Sequence, residues 1–323
     1  MNAATHDATA SRQSDSRIAT LLRMSLLDCA IIGAGPAGLT AATYLRRYHR
    51  SVLVFDGGES RARWIPRTHN CPGYPNGISG VDLLQRLREQ AQAHDARFEP
   101  VRVDCVRPHA QGFRIEAGER HWLARTVLLA TGINDLVPEM EDVEGAIASA
   151  AIRLCAICDA YEATDGDIGV LAPLQRGLEH AIFLRSYSSS VSLIPLSAAE
   201  AAEADQALRE RASENQVRIT LPCAGLSASD GSCEVRHDDG SSSRFDTIYP
   251  VLGALPESSL AADLGAQLSD KGEINVDAHN QTTVKNVYAA GDVVSELNQI
   301  AVAMGHAAIA ATAIHRSLPQ QPR

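Results

Sequence analysis

The sequence predicts an α/β protein built from two strand–turn–helix–strand units, and three observations predict it. An apolar strand pattern, Leu26–Ile32, runs straight into the turn Gly33-Ala34-Gly35-Pro36-Ala37-Gly38 and a helical stretch from Leu39 to Tyr48. The pattern returns later as strand Asp167–Leu171, a turn, helix Leu178 to Tyr187 and strand Ser190–Ile194. Two further apolar runs stop on small turn-forming pairs, Thr131-Gly132 and Gly291-Asp292.

Composition agrees with that class. The 323 residues suggest two domains at roughly 150 residues each, and 45% apolar with 21% charged residues is an ordinary globular mix. No apolar run approaches the ~18 residues of a membrane span. A net charge of −10 without a Lys/Arg cluster argues against nucleic acid. Seven cysteines are too few, and odd in number, for a secreted disulfide framework, so the cytoplasm is the expected compartment. Residues 1–23 lack the apolar core of a secretory signal. They read as a disordered leader or as an extension from a misplaced start, with Met24 the working first residue.

The first turn carries the most information. Gly33 permits the tight turn, Gly35 lets backbone N–H groups approach a pyrophosphate, and Gly38 lets the helix pack on the strand. Pro36 and Ala37 complete the turn, and the helix start adds positive dipole toward phosphate. The next strand, Ser51–Phe55, ends in Asp56, placed to bond a ribose hydroxyl. This unit alone does not distinguish FAD from NAD. The Ala130-Thr131-Gly132 and Gly291-Asp292 segments resemble motifs of flavoproteins with two dinucleotide domains. There the Asp bonds a flavin ribitol hydroxyl and the Thr-Gly marks where the chain leaves the FAD domain.

Cys155-Ala156-Ile157-Cys158-Asp159 places two thiols and a carboxyl on one short segment. This spacing suits a redox dithiol, with Asp159 able to move a proton during exchange. A zinc half-site is the rival reading, but no second pair of ligands with matching spacing follows, and no metal is expected. Cys29 and Cys105 sit in apolar runs and read as packing residues.

With these motifs in place, residues from about Leu26 to Ser317 resemble the low-molecular-weight thioredoxin reductases. The resemblance rests on Gly33–Gly38, His69-Asn70-Cys71-Pro72-Gly73-Tyr74-Pro75, Gly77–Gly80, Ala130–Gly132, Cys155–Asp159, Gly291-Asp292 and Gln299. It implies two Rossmann-like three-layer domains, the second inserted in the first. The FAD domain would comprise 24–137 and 255–323, and the inserted, dithiol-bearing domain 138–254. It further implies that Cys158 exchanges electrons with flavin, that Cys155 attacks the external substrate and that Asp159 is the proton donor. Asn70 would line the flavin, with Gln299 and Ile300 near its pyrimidine edge. Members are usually homodimers.

The second unit departs from the family. Its turn reads Ala172-Pro173-Leu174-Gln175-Arg176-Gly177, with glycine only at the third motif position. Leu174 is expected to put a branched side chain where a pyrophosphate must touch backbone, and Pro173 removes a donor. The basic cluster that holds the 2′-phosphate of NADPH is replaced by Pro195–Glu200, with no Arg or Lys before Arg209. Arg176 reads as a solvated helix-start residue. The expected function is FAD-dependent thiol–disulfide exchange through Cys155 and Cys158 with poor use of NADPH. The exchange partner would be a thioredoxin-like protein or a small dithiol or disulfide, and ferredoxin or oxygen would close the circuit. An orthodox NADPH-dependent reductase and a flavin-bound redox sensor are the alternatives. His306 is a candidate base toward a dithiol or stabiliser of anionic flavin, or else a helix-surface histidine. His69 has the same two readings. Cys71 is a third redox thiol or a packing residue.

Overall fold

The computed structural model describes residues 26–295 and 297–320; the leader and Met24 lie outside them. In chain order the elements begin with β1 (Leu27–Ile32), α1 (Pro36–Arg47), β2 (Val52–Phe55), α2 (Gly80–Gln92), β3 (Arg97–Glu99), β4 (Cys105–His109), β5 (Gly112–Ala117) and β6 (Arg120–Leu129). The chain continues through β7 (Ile133–Asp135), α3 (Val143–Ala148), α4 (Ala156–Asp159), β8 (Asp167–Leu171), α5 (Leu174–Leu184), β9 (Ser190–Ile194), α6 (Ala198–Ala202) and α7 (Gln206–Glu214). It closes with β10 (Arg218–Ile219), β11 (Cys223–Ser229), β12 (Ser232–His237), β13 (Ser242–Phe245), β14 (Thr247–Pro250), β15 (Ala254–Pro256), α8 (Ser259–Asp263), β16 (Val287–Ala289) and α9 (Ile300–Ser317).

Contacts divide the chain into two compact units. The first comprises the described residues of Met1–Ser60, Leu84–Ile133 and Pro256–Arg323; the second comprises Arg61–Leu83 and Asn134–Leu255. The sequence assigns Arg61–Leu83 to the first domain, whereas its contacts group it with the second. One reason is local: the Arg61 guanidinium forks onto the Asp135 carboxylate, with Nη2 3.0 Å from Oδ1.

The first unit holds a seven-stranded sheet in the order β3-β2-β1-β6-β5-β4, with β16 also on β6. β1 is parallel to both β2 and β6, and β6 is long enough to pair antiparallel with β5 and parallel with β16. Alternation along β1 explains its apolar run. Cys29 and Ile31 face one core with α1 and α9, while Ala30 and Ile32 face another with Phe55, Val127 and Leu129. A strand buried on both faces has no polar positions to spare. Arg50 is buried yet satisfied, donating to the carbonyls of His315 (3.0 Å) and Pro319 (2.9 Å) at the end of α9. It acts as a cationic cap on that helix.

The second unit pairs a parallel four-stranded sheet, β10-β9-β8-β14, with an antiparallel three-stranded sheet, β11-β12-β13. Its core includes Ile168, Val170, Leu178, Leu184 and Leu193.

Close backbone approach fixes the first glycine turn. Gly33 has φ +109°, and a Cβ there would lie 2.1 Å from the Ala130 carbonyl oxygen. A Cβ on Gly38 would lie 1.9 Å from the Gly33 carbonyl oxygen, so the helix start sits directly on the strand end. Because that obstacle is backbone, Gly38→Ala is expected to destabilise the protein by about 1–3 kcal/mol. The measurement is a lowered urea midpoint at unchanged slope.

Candidate cofactor site and redox dithiol

In the first unit α1 begins at Pro36, directly after Gly35, and the first intrahelical bond runs from Leu39 N–H to the Gly35 carbonyl (3.0 Å). Helix geometry therefore leaves the Ala37 and Gly38 N–H groups without intrahelical acceptors, aimed out of the helix start. Unlike Gly33 and Gly38, Gly35 faces room: a Cβ would meet only Ser60 Oγ, at 3.4 Å. That open cradle over the helix-start donors suits a diphosphate.

The other first-unit residues are organised around the same turn. The Thr131 hydroxyl donates to the Glu257 carbonyl (2.6 Å), and Glu257 N–H donates to the Gly132 carbonyl (3.0 Å). A Cβ on Gly291 would come within 3.1 Å of Ala37 Cβ, so Gly291 and the adjoining Asp292 are seated beside the fingerprint helix. Gln299 caps the start of α9, its carbonyl accepting Ala303 N–H at 2.9 Å, and Ile300 is the first helical residue. Asp56 accepts from Gly58 N–H (2.9 Å) and forms an ion pair with Arg88. A ribose hydroxyl would add to those partners. The Arg88 guanidinium also lies over the Phe98 ring, 4.3 Å from its centre.

Among the described residues of this unit, three buried side-chain polar atoms have no hydrogen-bond partner: Thr40 Oγ1, Asn298 Oδ1 and His306 Nδ1. Thr40 and His306 lie on α1 and α9, which pack on each other, and Asn298 lies just before α9. Such orphans are uncommon in native proteins and fit a unit that receives a polar cofactor. Burial pushes the His306 imidazole below its ordinary value, toward the neutral form.

The dithiol lies in the second unit. Cys155 and Cys158 are joined as a disulfide, Cys155 at the N-cap of α4 and Cys158 within it. Asp159 is half-buried and held by two side chains that the sequence reading did not single out. Arg153 Nη1 lies 3.0 Å from Asp159 Oδ2, and the Tyr249 hydroxyl donates to Oδ1 at 3.0 Å. Arg153 is fixed by its N–H on the Ile248 carbonyl (2.9 Å), next to Tyr249 on β14. Burial raises the Asp159 carboxyl above the ordinary carboxylate range, while Arg153 and Tyr249 pull it back. Position alone hints at Arg153, two residues before Cys155; nothing local hints at Tyr249.

The remaining thiols differ. Burial pushes the Cys29 thiol up to about 12 and Cys233 up to about 11, and raises Cys71 and Cys223. The buried Cys71 therefore fits packing better than redox exchange. Asn70 lies in the second unit, accepting from the Thr68 hydroxyl (2.8 Å), and His69 is exposed nearby.

The second turn corrects one expectation. Leu174 is buried, and its side chain packs in the core with Leu178 and Leu193 instead of filling the phosphate space. The strand–turn–helix geometry turns that position inward. Gly177 keeps its packing role: a Cβ would lie 2.5 Å from Leu193 Cδ1 and 2.8 Å from Ala172 Cβ. The Leu174 N–H, at the first position of α5, is capped by Glu200 Oε1 at 2.7 Å. Arg209 donates to the Ala204 carbonyl (3.1 Å), and Arg176 is exposed beside Gly253.

Comparison with known proteins agrees with this architecture. The model of the pyridine nucleotide-disulphide oxidoreductase family matches residues 27–307. The chain belongs to that family. Within it, thioredoxin reductase of Mycolicibacterium smegmatis is 31% identical over 309 residues, spanning 91% of this chain and 97% of that protein. The solved structure of HlmI matches with a TM-score of 0.83 at 26% identity, covering 90% of this chain and 92% of that one. Thioredoxin reductase from Streptococcus pyogenes, at 24% identity and TM-score 0.80 over 90% and 97% of the two chains, shares the fold. This family member is a thioredoxin reductase-like, FAD-dependent disulfide oxidoreductase.

Two measurements test the site. Gly35→Ala is expected to weaken flavin retention roughly tenfold, about 1.4 kcal/mol, while the apoprotein's stability changes by less than about 0.5 kcal/mol. Equilibrium dialysis of flavin and urea melts of the apoprotein measure the two effects separately. Arg153→Met removes a cation from Asp159, so the carboxyl holds its proton to higher pH. The Asp159-dependent limb of the pH profile for dithiol reduction of Cys155–Cys158 should move to higher pH. Tyr249→Phe should move it the same way by less.

Proposed function

We propose that this oxidoreductase passes electrons between the Cys155–Cys158 pair and FAD, with a donor or acceptor other than NADPH completing the cycle. The observation that carries the exchange chemistry is the disulfide with Asp159 beside it in sequence, its carboxyl bonded to Arg153 and Tyr249. Supporting the second part, the turn of the second unit keeps glycine only at position 177, and the first cation after β9, Arg209, is engaged elsewhere.

In the dithiol-oxidising direction, a substrate thiolate attacks Cys155 Sγ, the Cys155–Cys158 bond breaks, and Cys158 leaves as thiolate. The second substrate thiolate attacks the mixed disulfide, releasing Cys155 and a substrate disulfide. Two electrons and two protons leave the substrate, and both electrons reside on the Cys155–Cys158 pair. Asp159 accepts a thiol proton when ionised and returns it in the reverse direction when protonated. FAD, when bound, supplies the two-electron partner for the dithiol. Gly33, Gly35, Ala37 and Gly38 would hold its diphosphate, and Asp56, Thr131, Gly132, Asp292, Gln299 and Ile300 would line the remainder. Asn70 is assigned to the same role by motif. His306, neutral and with an unpartnered Nδ1, would act toward the flavin or the substrate.

The partner we propose is a thioredoxin-like protein or a small dithiol, the protein acting as a cytoplasmic homodimer, with ferredoxin or oxygen at the other end of the circuit. The orthodox reading, an NADPH-dependent thioredoxin reductase, is favoured by the names of the relatives.

Anaerobic titration of the holoenzyme distinguishes the readings. A dithiol such as dithiothreitol should bleach the flavin, and Cys155→Ser should abolish that bleaching while FAD stays bound. Micromolar NADPH should leave the flavin oxidised; rapid bleaching by NADPH would establish the orthodox reading.

A further inference from the structure

We infer that Glu200 is the specificity-determining residue that excludes nicotinamide dinucleotides from the second unit, its carboxylate taking the anion position that their diphosphate requires. The inference deepens the proposed reading of the electron donor and rests on it.

In a strand–turn–helix–strand unit the pyrophosphate sits at the helix N-terminus and the adenosine ribose beyond the end of the second strand. Here those two places are the start of α5 and the residues just after β9. A single carboxylate spans them. Glu200 Oε1 accepts the Leu174 N–H at 2.7 Å, and Glu200 Oε2 accepts the Leu196 N–H at 3.0 Å.

The position of Glu200 is itself fixed. Ser197 caps α6, its hydroxyl accepting the Glu200 N–H at 3.2 Å. Ser197-x-x-Glu200 is a capping-box spacing, in which the glutamate ordinarily returns to the N–H of the capping residue. This glutamate bonds one residue earlier, to Leu196, and crosses to α5. Both contacts are charge-assisted bonds from backbone donors to carboxylate oxygen.

Charge, and not bulk, is therefore the discriminator. Leu174 turns its side chain into the core, so it does not close the space above the helix start. A diphosphate would have to displace Glu200 from both N–H groups and then lie beside the displaced carboxylate. The same charge stands where this family's NADPH-binding members are expected to carry cations.

The test uses flavin-loaded wild type, Glu200→Gln and Glu200→Arg, with NADPH and NADH binding followed by calorimetry. Gln keeps an acceptor oxygen and removes the charge, so NADPH should bind at least tenfold tighter than to wild type. Arg should tighten it further and favour NADPH over NADH. Wild type that is rapidly reduced by micromolar NADPH would overturn the donor reading. If wild type stays refractory and both folded variants bind NADPH no more tightly, Glu200 is only a structural cap and the inference fails, whatever happens to their melting temperatures. A second measurement needs no variant. Millimolar inorganic pyrophosphate should leave amide hydrogen exchange at Leu174 and Leu196 of wild type unchanged, and slowed exchange there would overturn the inference.

Discussion

A helix that starts at the carboxyl end of a parallel strand presents backbone N–H groups with no partner inside the helix, and something must satisfy them. Much of this chain follows from how that requirement is met twice. In the first unit the glycines bring helix and strand into backbone contact, and Gly35 leaves a cradle into which no side chain of the turn projects. The donors there are available to an external phosphate. In the second unit the packing glycine survives as Gly177, but the first N–H of the helix is bonded to Glu200. One helix start leaves its donors to an outside partner, whereas the other has its first donor satisfied by a side chain of the same unit.

Beside the dithiol, opposing effects meet at Asp159. Burial favours the protonated form of this carboxyl, and the ion pair with Arg153 favours the ionised form. The structure combines both with a third contact from Tyr249. A group held between those limits can take a proton from one thiol and give it to another, which exchange in either direction requires. Arg153 and Tyr249 are held by the same strand, because Arg153 N–H bonds to the Ile248 carbonyl next to Tyr249. The Asp159 carboxyl, carried on the short α4, is thus held by partners tied to β14.

What was legible in the sequence was local. Gly33 and Gly38 declare their packing by spacing, and the cysteine pair forms a disulfide with two residues between its members along one turn. The fold class follows from apolar runs that are buried on both faces, as in β1. The illegible parts all depend on which way a side chain turns or on what lies across the fold. Leu174 is a branched residue at a motif position in the sequence, yet in three dimensions it belongs to the core. Ser197-x-x-Glu200 reads as a helix start, and only the bonds from the Leu174 and Leu196 N–H groups show that its glutamate serves two segments. Tyr249 lies 90 residues from Asp159 and carries no pattern that ties it there. Arg61–Leu83 groups with the second unit through contacts such as Arg61–Asp135, which no periodicity announces.

The same physics limits the redox chemistry to one pair of sulfurs. A thiol reacts as thiolate, and withdrawing it from water makes the thiolate scarce. Cys29 is enclosed in the sheet of the first unit and Cys233 in the core beside Val235, and burial raises both thiols far above neutral pH. Cys71 and Cys223 are shifted the same way. Cys155 and Cys158 instead lie half-exposed, with the strongly exposed Ile157 between them. Thiol reagents therefore meet the pair that has a carboxyl next to it in sequence more readily than they meet Cys29, Cys71, Cys223 and Cys233, whose thiols burial raises. Burial in this way sets Cys29, Cys71, Cys223 and Cys233 apart from the half-exposed pair.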